Sequence, residues 1–319
     1  MQQINKKLTR RKRIAIFGFY NARNVGDDRI QQSLVHVLSN HVLVFFPHYL
    51  EPPHTKYLHT FDWILIGGGG LVFKKVGIWN NLKKWLSRAN RPFGVVGVGA
   101  NTFDKSLGED LCWLADKAQF FYVRDNASKL LLGSHKRVEV LTDLTWCLPF
   151  MLTMNEMVSG QIALNLAPCP WKQYAPEQWA HQLKQRNVVP LPLYFTGDKD
   201  YILMRKIFGE SVPNDFDVCA LERSQLLVGC RYHSLIFAMQ LRKPFIAIKY
   251  DDKVASLLEE AGLEDLGLET HEYERINERI EYVQQNELEI VSKIARYAEK
   301  QETVGKELAN KIRFKIDSV

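Results

Sequence analysis

Short, nearly continuous apolar runs recur along the first half of the chain, at residues 13–19, 42–46, 63–66, 93–98, 120–124 and 138–141. Each is closed by glycine or polar residues and most lead into a stretch of helical periodicity. Runs of this length, apolar on both faces, predict buried parallel strands, because a sheet with one wet face would impose alternation. Helices are predicted between them over 29–38, 80–88 and 107–118. Strand alternating with helix gives a parallel sheet covered on both faces.

The pattern resets after Leu148-Pro149, where the polar, Met-rich stretch 151–160 reads as a linker. A second series follows, with strands predicted at 162–166, 188–195, 226–229 and 245–250 and helices at 176–186, 200–208, 234–241 and 254–261. From Tyr273 to about residue 312 no strand run occurs, and the pattern is that of one or two charged amphipathic helices. The expected architecture is α/β: two Rossmann-like domains, 1–155 and 156–272, facing a cleft, followed by a helical segment, 273–319. Ligands of such sheets sit at the carboxyl ends of the strands, so the residues just after each strand carry the functional information.

Composition narrows the class. With 319 residues, 46% hydrophobic and 24% charged, the chain is that of an ordinary globular protein, which excludes disorder and collagen-like structure. The longest stretch free of Asp, Glu, Lys and Arg, residues 30–50, is broken by Gln31, Gln32, His36, Asn40, His41, Pro47 and His48, so no membrane span is expected. Five scattered cysteines without a CxxC pair argue against a disulfide framework or structural zinc and fit a reducing, cytoplasmic compartment. Most of the formal charge of +6 resides in Lys6, Lys7 and Arg10 to Arg13. That run reads as a solvated leader, with weak peripheral contact to an anionic membrane face as its sharper use. A nucleic-acid partner is not expected, since the basic residues are not spread through the fold with interleaved aromatics.

Several strand ends carry chemistry. After the first comes Asn24-Val25-Gly26-Asp27-Asp28 at the start of a helix, where glycine admits close approach and helix N–H groups attract an anion. The plain alternative is that Asn24 and Asp27 cap the helix. After the third comes Gly67-Gly68-Gly69-Gly70, entropically costly and suited to a ligand-facing wall or to tight packing. Gly97-Val98-Gly99-Ala100-Asn101 and Arg124-Asp125 end the fourth and fifth. In the second half, Arg231 and His233 stand two apart after a strand, on one side of an extended backbone, with a helix immediately following and Lys253 at the next strand end. A guanidinium fork, an imidazole, an ammonium and helix N–H groups together are what a phosphate or carboxylate requires. Cys230 reads as a buried thiol. His54 and His59 lack metal-ligand spacing, and no metal is expected.

Taken in order from residue 18 to 254, these elements resemble the polysaccharide pyruvyl transferase family. The matching stretches are Gly18-Phe19-Tyr20 with Asn24 to Asp27, the glycine quartet, Gly97 to Ala100, Val123-Arg124-Asp125 with Ser128, Thr142-Asp143-Leu144, Arg231 to Ala238, and Tyr250 to Val254. The resemblance implies a glycosyltransferase B-type fold and transfer of pyruvyl from phosphoenolpyruvate to two sugar hydroxyls, giving a ketal for a cell-surface polysaccharide. It implies a phosphoenolpyruvate site in the C-terminal domain at Arg231, His233, Ser234 and Lys253. His233 is expected as the proton donor and Asp27 as the base. Asn24, Gly26, Gly68, Gly69, Gly70, Asn101 and Arg124 are expected on the acceptor side of the cleft. Phosphoenolpyruvate is the donor substrate and no separate cofactor is expected. The acceptor is expected to be a saccharide, whether lipid-linked, nucleotide-linked or polymeric. The chain departs from the family at Asn21-Ala22-Arg23, where glycines are usual, and at Asp28-Arg29. Two other readings stay open: a nucleotide-sugar glycosyltransferase, against which the second half lacks a clear ribose-binding glutamate at a strand end, and a non-catalytic glycan-binding relative.

Overall fold

The computed structural model describes residues 10–72, 75–100, 107–151, 156–169 and 173–318. Asn101 therefore lies outside the described residues. Among the described residues eleven strands form two wholly parallel sheets. The first contains β1 (Arg13–Gly18), β2 (Val42–Pro47), β3 (Trp63–Val72), β4 (Phe93–Ala100), β5 (Phe121–Val123) and β6 (Val138–Val140), in the order β2-β1-β3-β4-β5-β6. The second contains β7 (Val158–Asn165), β8 (Asn187–Pro190), β9 (Ser224–Gly229), β10 (Phe245–Ile248) and β11 (Gly267–Leu268), in the order β11-β10-β9-β7-β8. Both are doubly wound: strand order reverses between β1 and β3 in one and between β7 and β9 in the other. At such switch points two loops diverge and leave a crevice at the carboxyl ends.

Helices α1 (Val25–Val37), α2 (Thr55–Leu58), α3 (Leu82–Ala89), α4 (Gly108–Lys117) and α5 (Asn126–Leu131) accompany the first sheet in sequence. With the second come α6 (Pro176–Gln182), α7 (Asp200–Phe208), α8 (Val218–Arg223), α9 (Tyr232–Gln240) and α10 (Asp252–Ala261). The chain then runs through α11 (Ile276–Gln285) and the long α12 (Glu287–Asp317). No helix among the described residues is long and apolar enough to cross a membrane.

Two compact units result. Unit 1 takes Met1–Tyr20, Ile30–Leu148 and Val304–Val319; unit 2 takes Asn21–Arg29 and Pro149–Thr303. The end of α12 completes unit 1 because Leu308, Ala309, Ile312 and Ile316 bury against Ile14, Ile16, Ile30 and Leu34. Residues 21–29 group with unit 2 through backbone bonding. Val25 N donates to Leu193 O at 2.9 Å, Phe195 N to Arg23 O at 3.0 Å, and Asn24 forms an antiparallel bridge with Tyr194.

Several elements differ from the sequence pattern. The glycine quartet is not a loop: β3 continues through it to Val72, paired with β4 and irregular in register only between Gly69 and Val72. Gly97 and Gly99 likewise lie inside β4. The predicted strand 188–195 stops at Pro190. The stretch read as a linker contains the start of β7, while residues 152–155 lie outside the described residues. α1 begins at Val25, four residues before the apolar periodicity, because Asn24 caps it by accepting from Gly26 N at 3.2 Å.

Candidate functional site

The chemistry gathers in unit 2 at the β7/β9 switch point. β7 ends at Asn165 and β9 at Gly229, and α9 begins three residues later, at Tyr232. Every residue of α9 from Ser234 to Gln240 is buried. A helix apolar on all sides must be enclosed, so only its first turn, with the half-buried Arg231 and His233, reaches the carboxyl edge of the sheet.

Arg231 is the residue before the helix, and it is built in rather than loose. Its Nε lies 3.1 Å from both carboxylate oxygens of Asp200 and its Nη2 2.5 Å from Oδ1. Asp200, at the first position of α7, is completely buried. The Asn165 amide links the parts: its Oδ1 accepts from Arg231 N at 3.0 Å, and its Nδ2 donates to Leu191 O at 3.0 Å and Asp200 Oδ2 at 3.4 Å. Burial alone would lower the guanidinium pKa, but Asp200 and Tyr250 outweigh it and hold it well above its usual value. Arg231 is a fixed positive charge at every accessible pH. Its fork edge is spent on Asp200, and Nη1 reaches Tyr250 Oη at 3.4 Å.

Tyr250 gathers the cations. The Arg231 guanidinium carbon lies 5.7 Å and Lys253 Nζ 5.6 Å from its ring centroid, and Arg231 is also 5.8 Å from the Tyr194 ring. Lys253 sits in the first turn of α10, where Asp251 caps its backbone N–H at 3.1 Å and accepts from its Nζ at 3.2 Å. The expected Arg–Lys pair is thus brought together, on an aromatic platform.

His233 is in the first helical turn, not on extended backbone, so the two-residue spacing does not align it with Arg231. Its ring stacks on Phe237 with centroids 6.1 Å apart and Tyr232 packs on its edge at 5.4 Å. Gly26 fits against it so closely that an added Cβ would lie 1.9 Å from His233 Nδ1. This is the reason for glycine at 26: no side chain fits between the start of α1 and the imidazole. Asn24, Gly26 and Asp27 therefore belong to the same compact unit as His233. Asp27 is 7% exposed in the first turn of α1. Next to it, Asp28 has its carboxyl pKa raised by burial and by Asp215, with Arg23 opposing.

Other expected residues are placed differently. Ser234 is fully buried and its hydroxyl donates to Arg231 O at 2.6 Å, so it closes its own turn instead of facing outward. Gly68, Gly69, Gly70 and Arg124 belong to unit 1. A Cβ on Gly68 would meet Ile30 Cγ2 at 2.1 Å and one on Gly67 would meet Val96 at 2.6 Å, so packing demands these glycines. Gly69 has φ of 78°, and Gly70 alone of the four is exposed, with open space where its Cβ would be. Arg124 is a buried brace whose Nε donates to Asp125 at 2.9 Å while Nη1 lies 3.9 Å from Asp143, and Gly99 leaves room for its guanidinium. Cys230 is fully buried, its thiol pushed up to about 12, so it is no nucleophile.

Asn165, Asp200 and Tyr194 were not singled out from sequence, and Tyr250 entered there only as the first residue of a matching stretch, with no role assigned. Asp200 had a weak signal, an acid opening a helix, which reads first as dipole compensation. Its pairing with Arg231 is long-range and left no local trace.

The model of the family described as polysaccharide pyruvyl transferase matches residues 24–252, more than half of the chain. No curated protein matches the sequence. Solved structures are similar in fold. A UDP-GlcNAc 2-epimerase from Neisseria meningitidis bound to UDP-GlcNAc has a TM-score of 0.58 at 12% identity, with 97% of this chain and 100% of that one covered. A putative UDP-N-acetylglucosamine 2-epimerase from Listeria monocytogenes has 0.57 at 11%, covering 97% and 96%. The glycotransferase of kitacinnamycin has 0.54 at 10%, covering 96% and 100%. These likenesses show the fold class, two parallel-sheet α/β domains of the glycosyltransferase B type.

Proposed function

Since the chain belongs to the polysaccharide pyruvyl transferase family, we propose that it moves a pyruvyl group from phosphoenolpyruvate to two hydroxyls of one sugar, in a precursor of a cell-surface polysaccharide. The observation that supports this reading is the Arg231 and Lys253 pair on Tyr250, one residue from the start of the helix that carries His233. Phosphoenolpyruvate carries about three negative charges, and fixed cations with helix N–H groups are the means of holding them without reorganisation.

In this proposal Lys253 and the Nη1 edge of Arg231 hold phosphate or carboxylate. Protonation of the methylene carbon makes the methyl group and leaves an oxocarbenium-like centre at C2. One sugar hydroxyl adds there, phosphate leaves by cleavage of its bond to C2, and the second hydroxyl closes the ketal. Of the two hydroxyl protons, one balances the new methyl group and the other leaves with phosphate. His233 is assigned the proton delivered to the donor, and Asp27 the proton taken from the acceptor.

The test is calorimetric titration of phosphoenolpyruvate into the wild type, His233→Gln and Lys253→Gln. Saturable binding that falls at least about tenfold in Lys253→Gln is expected, the loss of one charge-assisted contact. With acceptor present, His233→Gln is expected to bind donor yet release phosphate slowly. Uridine diphosphate serves as competitor, because a structural neighbour was solved with UDP-GlcNAc. Tight uridine diphosphate binding without phosphoenolpyruvate binding would replace this reading with nucleotide-sugar transfer.

A further inference from the structure

Unit 1 carries a groove that the transfer reaction does not use. α3 and α4 lie side by side, and two cavities open along them. One, of about 420 Å³, is lined by Lys75, Asn80, Asn81, Lys83, Lys84, Ser87 and Asp110. The other, of about 570 Å³, is lined by residues that include Ser87, Asn90, Arg91, Trp113, Lys117 and Gln119. Ser87 borders both, so they form one trough along α3, which is about 12 Å long at 1.5 Å per residue.

Five cations line it against one carboxylate, Asp110, which lies 3.8 Å from Lys75. Between the charges the walls carry amides, a hydroxyl and the partly exposed ring of Pro92. The aliphatic and phenyl side chains, Leu86 and Phe93, are nearly closed off, at 2% and 7% exposure. Trp113 is half-buried and stacked on Phe93 with centroids 5.8 Å apart, so its indole is held rigid where it borders the trough.

We infer that this trough binds a strand of acidic oligosaccharide. Ammonium groups at both ends meet carboxylate or phosphate substituents, amides bond ring hydroxyls, and the indole supports a sugar face. A single-stranded nucleic acid would need several stacking rings along a continuous basic track, whereas Trp113 is the one aromatic lining ring here that is more than marginally exposed. The inference goes beyond the transfer proposal and does not depend on it.

The test is titration of a short oligogalacturonate against the full chain, read by calorimetry and tryptophan fluorescence, at two salt concentrations. Wild type is expected to bind saturably. The Lys83→Gln/Lys84→Gln variant, altered at two exposed positions, is expected to bind at least about tenfold more weakly and with a shallower salt dependence, as expected when charge contacts are lost. Trp113→Leu is expected to weaken binding with the salt dependence unchanged, and its melting temperature guards against misfolding. A neutral maltooligosaccharide is expected to bind poorly. Equal affinity for oligoglutamate, which has charge but no sugar, would overturn the inference, as would an unchanged affinity in the lysine variant or tighter binding to phosphatidylglycerol vesicles. Phosphoenolpyruvate titrated into the same preparations reports separately on the donor site, so the failure of either reading is distinguishable from that of the other.

Discussion

The pairing of Arg231 with Asp200 supports a quantitative test of how the proposed donor site is held. Arg231→Met removes the guanidinium and leaves the Asp200 carboxylate, fully buried, with Leu193 N at 3.3 Å and Asn165 Nδ2 at 3.4 Å as its remaining donors in this network. Both contacts are long, so neither compensates the charge well. Breaking a buried ion pair from one side costs about 3–5 kcal/mol. The Arg231 side chain is 21% exposed, so part of the Coulomb attraction is screened and the low end, about 3 kcal/mol, applies. For a cooperative unit of this size that is a fall of roughly 6–12 °C in melting temperature.

The double variant Arg231→Met/Asp200→Leu removes both charges and fills the space with apolar atoms. It is expected to be more stable than Arg231→Met by about 2 kcal/mol or more, since the desolvated carboxylate is gone. Urea denaturation followed by circular dichroism, on both singles and the double, supplies the cycle. A cost below about 1 kcal/mol for Arg231→Met, or a double variant as unstable as the sum of the singles, would refute the claim that Asp200 depends on Arg231 for its charge. Arg231→Lys is a useful fourth member. It keeps the charge but cannot bond Asp200 bidentately, so partial recovery of stability and poor donor binding are expected together.

Three further outcomes follow from particular contacts. His48 is buried, accepts from Trp79 Nε1 at 3.3 Å, and burial lowers its pKa to about 4; the unfolded chain takes up that proton near pH 6.5, so stability present above this pH is lost as pH falls toward 4, by up to roughly 3 kcal/mol. His48→Gln, which keeps an acceptor for Trp79, should flatten that part of the pH dependence of the urea midpoint, and an unchanged slope would reject the assignment. Gly26→Ala places a Cβ 1.9 Å from His233 Nδ1 and should displace the imidazole, lowering turnover by at least about tenfold and costing about 1–3 kcal/mol of stability; full turnover in the folded variant would remove His233 from the proton path. Gly305→Ala would ordinarily favour a helix by about 1 kcal/mol, but here the Cβ meets Trp146 O at 2.4 Å, so a net loss of about 2 kcal/mol is expected and a raised melting temperature would contradict the contact.

The strands were legible because burial on both faces writes itself into composition: Ile14 to Phe17 and Ile64 to Ile66 are apolar at every position and wholly enclosed. The continuation of β3 through the glycine quartet was not legible, because local propensity sees only an entropically expensive run after the apolar stretch. Its cause is tertiary, the bulk of Ile30, Val96 and Leu144 pressing on Gly67 and Gly68. The residues of the proposed donor site could be picked out for a related reason, since Arg231, His233 and Lys253 follow strands whose ends can be predicted. What was not legible is what each side chain leans on. Asp200 and Asn165 are distant in sequence from Arg231, and nothing local distinguishes them from a helix-opening acid and a strand-ending amide. The placement of 21–29 with unit 2 was hidden too, because it is made by main-chain bonds to 193–195, which any sequence can form.

The division of the chain between its units also bears on the order in which the molecule is made. Unit 2 is complete once residue 303 has been synthesised, whereas unit 1 lacks Leu308, Ala309, Ile312 and Ile316 until the last stretch emerges. During translation the first sheet thus waits with one flank of its core uncovered while the second, later-made unit closes first. A chain cut before residue 304 would present a finished unit 2 joined to a unit 1 with part of its core uncovered, so chaperone capture should concentrate on unit 1 and end once Leu308 to Ile316 are in place.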